Sequence, residues 1–388
     1  MSNDITVGID IGTYQIKIVV AQKVSGRPLP RILGTGYAES KGLRHGYIVN
    51  TADVTRALLI AKRQAEKVSG HQIKKAYLSV GGVGLQSTVS NGSVVISRAD
   101  SQITDEDVEK SVDEAEKNIP EAQRINQKII HTIPIKQRID NRPVLGRPTD
   151  MKGSRLESEV LFISALENHV NDLIEAVEDA DIEVSDVMAS PIAASFVTLS
   201  KTQKVAGCVL ANIGAETVSI VVFENNVPIS LEVFPVGGTD ITNDIALGLR
   251  IPIEDAEQVK RGGIISTTYS QKKLEDIVSA RVSDILDLVD AHLKKIGRNG
   301  LLPAGIIITG GGSGVGNITE IARISLKLPS RIATLSTKNN EIQDATWAVA
   351  YGLCILGLSE GSNSTFKFLG GIGKLFKKAK EAISHILP

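Results

Sequence analysis

The hydrophobic positions of this chain follow a strand-like period at two places about 200 residues apart. The N-terminal stretch has two β-branched runs on either side of a glycine turn, ITVGIDIGTYQIKIVVAQ, which predicts a β-hairpin. The stretch that starts at Cys208, CVLANIGAETVSIVVFENN, has the same order of strand, turn and strand. Because one design occurs twice, we expect a duplicated α/β domain.

The segment 85–162 has a different pattern. Alternating runs such as GSVVISR and QKIIHTIPIKQRI flank one acidic helical stretch, TDEDVEKSVDEAEKNI, for which Thr104 is the expected N-cap. This predicts a small α+β subdomain inserted into the first α/β domain. A further helix is predicted over 51–69, with Thr51 as its N-cap and Gly70 as its stop.

The composition narrows the class of protein. A chain of 388 residues is long enough for more than one core, and 42% hydrophobic residues is typical of a globular protein. A net charge of −1 and 4% aromatic residues argue against a nucleic-acid partner, which favours a basic, aromatic surface. Cys208 and Cys354 lie in apolar runs, which predicts buried free thiols. No apolar stretch approaches the ~18–20 residues of a membrane span, and we expect a cytosolic protein.

Three glycine-bearing turns follow apolar strands, at Asp10–Thr13, Asn212–Thr217 and Thr309–Gly314. Glycine lets backbone N–H groups approach anionic oxygens closely, so such turns bind phosphate well. Asp10 stands at a strand end, where a carboxylate is suited to hold Mg²⁺ through water. Taken singly, each turn is better explained as a tight connection between strands. The third turn lacks the Lys-Ser/Thr of a P-loop and does not fit G-x-G-x-x-G.

The order of the three turns resembles the actin-like (ribonuclease H-like) ATPase superfamily. There the two hairpins grip the phosphates from both sides, and the third turn lies on the adenine side. The stretch DAEQVKRG also places Glu257 and Lys260 on one helical face, where the superfamily binds the ribose and adenine. An intrahelical salt bridge is the alternative role for this pair.

Over nearly its whole length the chain resembles one family more specifically, FtsA, the actin-like bacterial cell-division proteins. The shared stretches include GIDIGT, LRHGYIVNTADVTRAL, LGRPTDMKGSRLE, PVGGTDITNDIALGLRIPIEDAEQVKRGG and IIITGGGSGVGNITEIA. The resemblance implies an ATP-binding protein that polymerises, tethers FtsZ filaments to the membrane and recruits later division proteins. The implied location is the cytoplasmic face of the inner membrane, at the division site.

The resemblance also implies a set of site residues and the cofactors ATP and Mg²⁺. The implied cofactor-binding residues are Asp10, Gly12, Thr13 and Tyr14 in the first turn, Asn212, Gly214, Ala215, Glu216 and Thr217 in the second, Gly238 after it, Glu257 and Lys260 at the nucleoside, and Gly310, Gly311, Gly312 and Ser313 on the adenine side. The FtsZ C-terminal tail is the implied partner of segment 227–299. Arg281 lies there at the position of an arginine suited to an acidic tail, although a solvated arginine is the alternative.

The second turn departs from the family pattern D-I-G-G-G-T. Asn212 removes one of two carboxylates suited to organise Mg²⁺, and Ala215 and Glu216 replace glycines. Glu216 repels phosphate if it points inward. Ser190 stands where the hydrolytic MreB relatives carry a glutamate. We therefore expect ATP to bind and to be hydrolysed very slowly or not at all.

The last segment, FKFLGGIGKLFKKAKEAISHILP, follows the small-residue linker EGSNST. On a helical wheel its apolar residues share one arc and its lysines lie opposite, which predicts an amphipathic membrane-targeting helix. The residues expected to carry this role are Phe368, Leu369, Ile372, Leu375, Phe376, Lys374, Lys377 and Lys378. The alternative is a terminal helix packed on the globule with its lysines solvated.

These expectations divide the chain into domains, and three other functions serve as alternatives to the one described above. The expected parts are a first actin-like domain (1–84 and 163–204), the insert (85–162), a second actin-like domain (205–226 and 300–358), the FtsZ-docking subdomain (227–299), a linker (359–365) and the C-terminal helix (366–388). The alternative function is a PilM-like cytoplasmic scaffold of type IV pilus assembly. Two other functions of the superfamily fit the sequence less well. A sugar kinase needs a catalytic Asp placed for a sugar hydroxyl, and none stands out; a heat-shock chaperone needs a substrate-binding domain beyond the ATPase.

Overall fold

The computed structural model describes residues 5–26, 29–335 and 344–359, together with a short strand at Leu369–Gly370. The strands in chain order are β1 (Ile5–Ile11), β2 (Gln15–Gln22), β3 (Arg31–Glu39), β4 (Leu43–Arg44), β5 (Tyr47–Ile48), β6 (Lys75–Val80), β7 (Gln86–Val95), β8 (Gln127–Ile139), β9 (Arg142–Pro143), β10 (Arg155–Leu166), β11 (Glu183–Ala189), β12 (Cys208–Ile213), β13 (Val218–Glu224), β14 (Val227–Phe234), β15 (Ile306–Thr309), β16 (Ser330–Ile332) and β17 (Leu369–Gly370).

The helices cover both faces of the sheets. The α-helices are α1 (Thr51–Ser69), α2 (Asp105–Lys117), α3 (Glu167–Glu178), α4 (Ser190–Thr198), α5 (Lys201–Ala206), α6 (Gly238–Leu249), α7 (Ile253–Lys260), α8 (Gln271–Lys295), α9 (Ile318–Leu326) and α10 (Ala348–Ser359). Short 3₁₀ turns lie at Glu121–Gln123, Gly311–Gly314 and Ala345–Trp347.

Two five-stranded sheets have the same topology. In the first, the order is β11-β6-β1-β2-β3, with β1, β2 and β3 antiparallel and β6 and β11 parallel. In the second, the order β14-β13-β12-β15-β16 has the same three antiparallel strands followed by two parallel ones. We call the first sheet with α1, α3, α4 and α10 the first half, and the second sheet with α6 to α9 the second half. The expected duplicated α/β fold is confirmed.

The period-2 pattern of the second hairpin separates two cores. Leu210 and Val221 point into the large core that fills the first half and the region between the halves. Val209 and Val222, one residue along each strand, point to the other face, where α6 to α9 cover them. Alternate residues of a strand face opposite sides of a sheet, so one apolar strand serves both cores.

Helix α10 packs closely against β1 in the first half. A Cβ atom at Gly8 would lie 2.1 Å from the carbonyl oxygen of Ala350, so the close approach of helix and strand requires glycine here. Cys354 on α10 and Cys208 on β12 are both free and buried, as their apolar surroundings predict. The apolar C-terminal part of the globule therefore completes the core next to the first hairpin.

The segment between β6 and β11 supplies β7, β8 and β10 of a separate sheet, on which α2 packs; with β17 at its edge, the order is β17-β8-β10-β7. Thr104 caps α2: its N–H and its Oγ both donate to the carboxylate of Asp107, at 2.9 and 2.8 Å. The inserted α+β subdomain is thus confirmed as part of the fold. Local capping chemistry fixed the start of its helix, as the sequence predicted.

The cap of α1 differs from the prediction. The N-cap is Asn50, whose backbone is extended and whose Oδ1 accepts the N–H of Asp53 at 3.2 Å, while Thr51 is already helical. Asparagine and threonine are both common N-cap residues, so residue type alone does not show whether Asn50 or Thr51 caps the helix. Gly70 ends the helix in the left-handed conformation, at φ 70°, as expected.

The expected C-terminal helix falls almost wholly outside the described residues. Phe368, Ile372, Lys374, Leu375, Phe376, Lys377 and Lys378 all lie outside them. Leu369 and Gly370 are extended where the wheel predicts helix, and they pair with Thr132 and His131 of β8. An unpaired edge strand accepts such a partner readily, and consecutive glycines are poor helix formers.

Candidate functional site

A cleft of about 1000 Å³ lies between the two halves, where the turns of both hairpins and the turn after β15 converge. It is lined by most of the residues that the sequence singled out: Asp10, Gly12, Thr13, Tyr14, Asn212, Gly214, Ala215, Thr217, Gly238, Glu257, Lys260, Gly310, Gly311 and Gly312. Glu216 and Ser313 do not belong to the lining. Segments more than 300 residues apart in the chain therefore meet around one cavity.

The two hairpin turns have the same backbone geometry. The N–H of Gly12 donates to the carbonyl of Gln15 at 3.2 Å, and the N–H of Gly214 donates to that of Thr217 at 2.8 Å. Each turn thus connects its strands in the same register. Residues of the second turn therefore match those of the first, and Asn212 takes the place of Asp10.

Asp10 lies half-buried at the floor of the cleft. Its Oδ1 accepts a hydrogen bond from Ser79 Oγ at 2.8 Å. Burial raises the pKa of Asp10, and the hydrogen bond from Ser79 and the positive charge of Lys17 only partly oppose this rise. A cation close to this carboxylate would stabilise its ionised form.

Lys17 is a lining residue that the sequence reasoning missed. It lies opposite Asp10 in the hairpin register, and its Nζ donates to the carbonyl of Thr346 at 2.9 Å. Its Nζ also lies 5.5 Å from the ring centroid of Trp347. Burial lowers the pKa of Lys17, while Asp10 and Asp344 oppose the shift. A lysine inside an otherwise apolar strand, directly across from Asp10, was the signal available in the sequence.

Glu257 and Lys260 form one network at the wall of the cleft. Lys260 Nζ lies 2.5 Å from Glu257 Oε2, and it also donates to Gly238 O at 3.0 Å and to Thr242 Oγ1 at 2.7 Å. Burial works to raise the pKa of Glu257, but hydrogen bonds from Lys260, Thr242 and Arg261 outweigh it and hold the pKa below its usual range. The intrahelical ion pair therefore exists and faces the cleft at the same time.

The turn after β15 has little space for side chains. Gly310 has φ 90°, and a Cβ there would lie 2.3 Å from Asn212 Oδ1. Ser313 Oγ donates to Gly310 O at 2.7 Å, so this hydroxyl fastens the turn instead of facing the cavity. The backbone of the third turn thus comes close to the second hairpin, which only glycine permits.

Three further residues that the sequence singled out lie at different places relative to the cleft. The carboxylate of Glu216 turns away from the cavity and accepts the N–H of His45 at 2.5 Å. Ser190 begins α4 and lines the cleft. Arg281 lies on α8, where its Nε and Nη2 bind both oxygens of Asp244, at 2.6 and 3.1 Å.

Within the described residues, no group of three or more His, Cys, Asp or Glu side chains is arranged to hold a metal ion. In the same part of the chain, no helix has the length and apolar character needed to cross a bilayer.

Solved structures with the same fold come from several actin-like proteins. The PilM–PilN type IV pilus biogenesis complex matches with a TM-score of 0.68 and 19% identity, over 91% of this chain and 98% of that one. MreB5 of Spiroplasma citri bound to ADP matches with a TM-score of 0.54 and 13% identity, over 93% and 99%. At these identities the likeness concerns the fold alone. The duplicated halves and the cleft between them define an actin-like protein.

Relatives found by sequence narrow the actin-like fold to one family. The cell division protein FtsA of Bacillus subtilis is 32% identical over 355 residues, 86% of this chain and 79% of that protein. The FtsA of Pseudomonas aeruginosa is 27% identical over 95% of this chain and 93% of its own length. Family models for "Cell division protein FtsA" and "SHS2 domain inserted in FTSA" match residues 209–352 and 82–164. The chain belongs to the FtsA family of actin-like cell division proteins.

Proposed function

We propose that this chain binds ATP with Mg²⁺ in the cleft, polymerises, and tethers FtsZ filaments to the cytoplasmic face of the membrane at the division site. The observation that carries the nucleotide part is the convergence of two equivalent glycine turns and a third glycine turn on one cavity of about 1000 Å³. A solved structure of the same fold, MreB5, is bound to ADP. Filament contacts and recruitment of later division proteins are assigned to the inserted segment 85–162.

The lining fits a nucleotide. A Cβ atom built at Gly311 or Gly314 meets nothing within 4 Å, so the third turn faces open space where a ligand backbone or ring has room. Lys17, next to the first turn, supplies positive charge that favours a bound phosphate, whereas Lys260 is assigned with Glu257 to the nucleoside. Glu257 has a carboxylate with a lowered pKa, which stays ionised to accept hydrogen bonds from ribose hydroxyls.

Asp10 fits the part of a magnesium partner. It is a half-buried carboxylate at the cavity floor, and Mg²⁺ bound to phosphates typically keeps several waters and takes one or two carboxylates. When bound, the ion neutralises phosphate charge. Because Asn212 replaces the second acidic residue, we assign the contact, through water, to Asp10 alone.

The test of nucleotide binding is a calorimetric titration with ATP, with Mg²⁺ and with a chelator. We expect Asp10→Asn, which copies the residue of the second turn, to lose the gain in affinity that Mg²⁺ gives the wild-type protein. Glu320→Gln, an exposed change on α9, is the matched control. Equal Mg²⁺ dependence in Asp10→Asn and the wild-type protein contradicts the assignment.

Hydrolysis is proposed to be very slow. Ser190, at the start of α4 on the cleft wall, has no carboxylate with which to orient a water molecule. Phosphate release faster than about one turnover per minute, abolished by Asp10→Ala, overturns this part, and that rate is already far below a typical kcat of ~10 s⁻¹.

Membrane attachment is assigned to the C-terminal segment 366–388. The support is its sequence pattern: an apolar arc with Lys374, Lys377 and Lys378 on the other side, and five lysines against one glutamate in the whole segment. Each lysine near an anionic surface contributes about 1 kcal/mol, so one helix binds reversibly and a filament binds by avidity. A chain that ends at Glu360 should not cosediment with anionic vesicles, whereas the full chain should. Equal cosedimentation of both refutes the anchor.

The FtsZ tail is proposed to dock on segment 227–299, near Arg281. The bidentate pair with Asp244 leaves this guanidinium 30% exposed, so an acidic peptide would have to share it. We expect Arg281→Ala to weaken binding of an FtsZ C-terminal peptide in fluorescence anisotropy. Lys294→Ala, an exposed change on the same helix, should leave it unchanged. Absence of peptide binding by the wild-type protein favours the PilM-like alternative.

A further inference from the structure

The two hairpin turns place equivalent residues at their tips. Gly12 and Gly214 form matching hydrogen bonds to the residues three positions later, so the turns superimpose position by position. In this correspondence Tyr14 of the first turn matches Glu216 of the second. Both side chains contact the opposite half, Tyr14 at the lining of the cleft and Glu216 outside that lining.

Glu216 reaches from the second half to the first. Its Oε2 accepts the backbone N–H of His45 at 2.5 Å, and its own carbonyl lies 3.3 Å from His45 Nδ1. His45 and Gly46 form the two-residue turn between β4 and β5, both with positive φ. The carbonyl of His45 accepts the N–H of Val83 at 3.3 Å, which fastens this turn to the first half.

Tyr14 reaches from the first half to the second. The guanidinium carbon of Arg261, the residue after α7, lies 5.1 Å from the centroid of the Tyr14 ring. Arg261 is held by Glu257, whose Oε1 accepts its Nε–H at 2.7 Å. The tip of the first turn is therefore connected to the network on the opposite wall of the cleft.

We propose that Tyr14 and Glu216 are a reciprocal pair of clasps that hold the two halves closed and so set the rate at which nucleotide leaves. Each clasp is the side chain of a turn whose backbone faces the phosphates, so closing the cleft and holding the phosphates use the same two turns. This inference rests on the proposed nucleotide binding. The sequence led us to expect that Glu216 repels phosphate if it points inward, whereas in this proposal it stabilises the closed cleft.

The two clasps differ in strength. A hydrogen bond to an ionised carboxylate contributes more than a cation–π contact at a partly exposed site, and Tyr14 is 47% exposed. We expect Glu216→Ala to raise the dissociation rate of bound nucleotide about tenfold and Tyr14→Leu about threefold. Glu216→Gln keeps an acceptor oxygen and should stay within about twofold of the wild-type rate. Tyr14→Phe keeps the ring but loses the hydroxyl contact with Arg261, so its rate should fall between those of the wild type and Tyr14→Leu.

The rate is measured by stopped-flow chase of a fluorescent ATP analogue with excess ATP, with Glu320→Ala as the control. A wild-type protein that binds no analogue overturns the proposed function. A binding wild-type protein whose release rate is unchanged by Glu216→Ala overturns the clasps alone. An equal increase in Glu216→Gln and Glu216→Ala also overturns them, because the acceptor oxygen is then irrelevant.

A second readout needs no nucleotide. The amide hydrogen of His45 points at the Glu216 carboxylate, so its exchange with solvent reports on that contact directly. In the nucleotide-free protein we expect slow exchange at His45 in wild type and Glu216→Gln, and faster exchange in Glu216→Ala, with equal melting temperatures. Unchanged exchange at His45 in Glu216→Ala refutes the contact itself.

Discussion

Lys204 is a buried ammonium group, and replacing it should stabilise the protein. It lies on α5 with 9% of its surface exposed, and its Nζ donates to Ser195 Oγ at 3.2 Å. Burial lowers the pKa of Lys204 from 10.5 to about 8. The difference between these two pKa values corresponds to about 3 kcal/mol of destabilisation when the lysine is protonated in both the folded and unfolded states.

Aromatic contacts reduce this cost. Nζ lies 5.1 Å from the ring centroid of Phe196 and 5.0 Å from that of Phe223, and each such contact stabilises a cation by about 0.5–2 kcal/mol. We therefore expect Lys204→Met, which keeps the length and apolar stem of the side chain, to raise the free energy of unfolding at pH 7 by about 1–3 kcal/mol.

The pH dependence follows from the direction of the shift. Between pH 8 and 10.5 the unfolded state binds more protons at Lys204 than the folded state, so the stability of the wild-type protein rises with pH. Below pH 8 the full cost is present, and near pH 9.5 about 1 kcal/mol of it remains. The advantage of Lys204→Met should therefore shrink by up to about 2 kcal/mol between pH 7 and pH 9.5.

Urea unfolding followed by circular dichroism at pH 7 and pH 9.5 measures both effects. Lys201→Met, an exposed change on the same helix, is the matched control and should alter stability by less than about 0.5 kcal/mol. A destabilised Lys204→Met at pH 7, or an advantage that does not change with pH, refutes the reasoning that burial dominates.

The remaining predictions concern the third turn, the insert and the thiols. Gly310→Ala, at φ 90° and with its Cβ 2.3 Å from Asn212 Oδ1, should lower stability by about 2 kcal/mol or more, while Gly314→Ala should not; thermal melting compares them. Thr104→Val should lower the free energy of unfolding, measured in urea, by about 1 kcal/mol because it removes the capping hydroxyl. Thr104→Ser, which keeps this hydroxyl, should leave the free energy of unfolding close to that of the wild-type protein. Burial raises the pKa of Cys208 to about 12, so Ellman's reagent should modify the native protein's two thiols no faster than it unfolds.

The paired turns illustrate how a duplicated element diverges. The backbone hydrogen bond that shapes each turn is kept, at Gly12 and at Gly214, while the side chains around it differ. The acid of the first turn, Asp10, has become an amide in the second, and the tip residue has changed from an aromatic to a carboxylate. Backbone geometry thus stays fixed while charge, the property that decides metal binding and contacts across the cleft, is free to vary.

The sequence by itself determined the elements whose causes are local. Apolar alternation and a glycine turn specify a hairpin within about twenty residues, so both hairpins, and with them the duplicated fold, were predictable. The cap at Thr104 depends on a residue three positions away, and it was also predicted. The cap of α1 was misplaced by one residue, because Asn50 and Thr51 satisfy the same local chemistry.

The tertiary structure decided which side chains meet. Glu216 is 171 residues from His45 in the chain, and no local pattern says that its carboxylate turns to that amide instead of into the cleft. Lys17 faces Asp10 and the cavity only because two strands pair in one register and α10 closes over them. A periodic pattern fixes the face on which a residue lies, whereas its neighbours depend on how distant elements dock. The family and the fold could therefore be predicted from the sequence, while the arrangement of charge in the cleft could not.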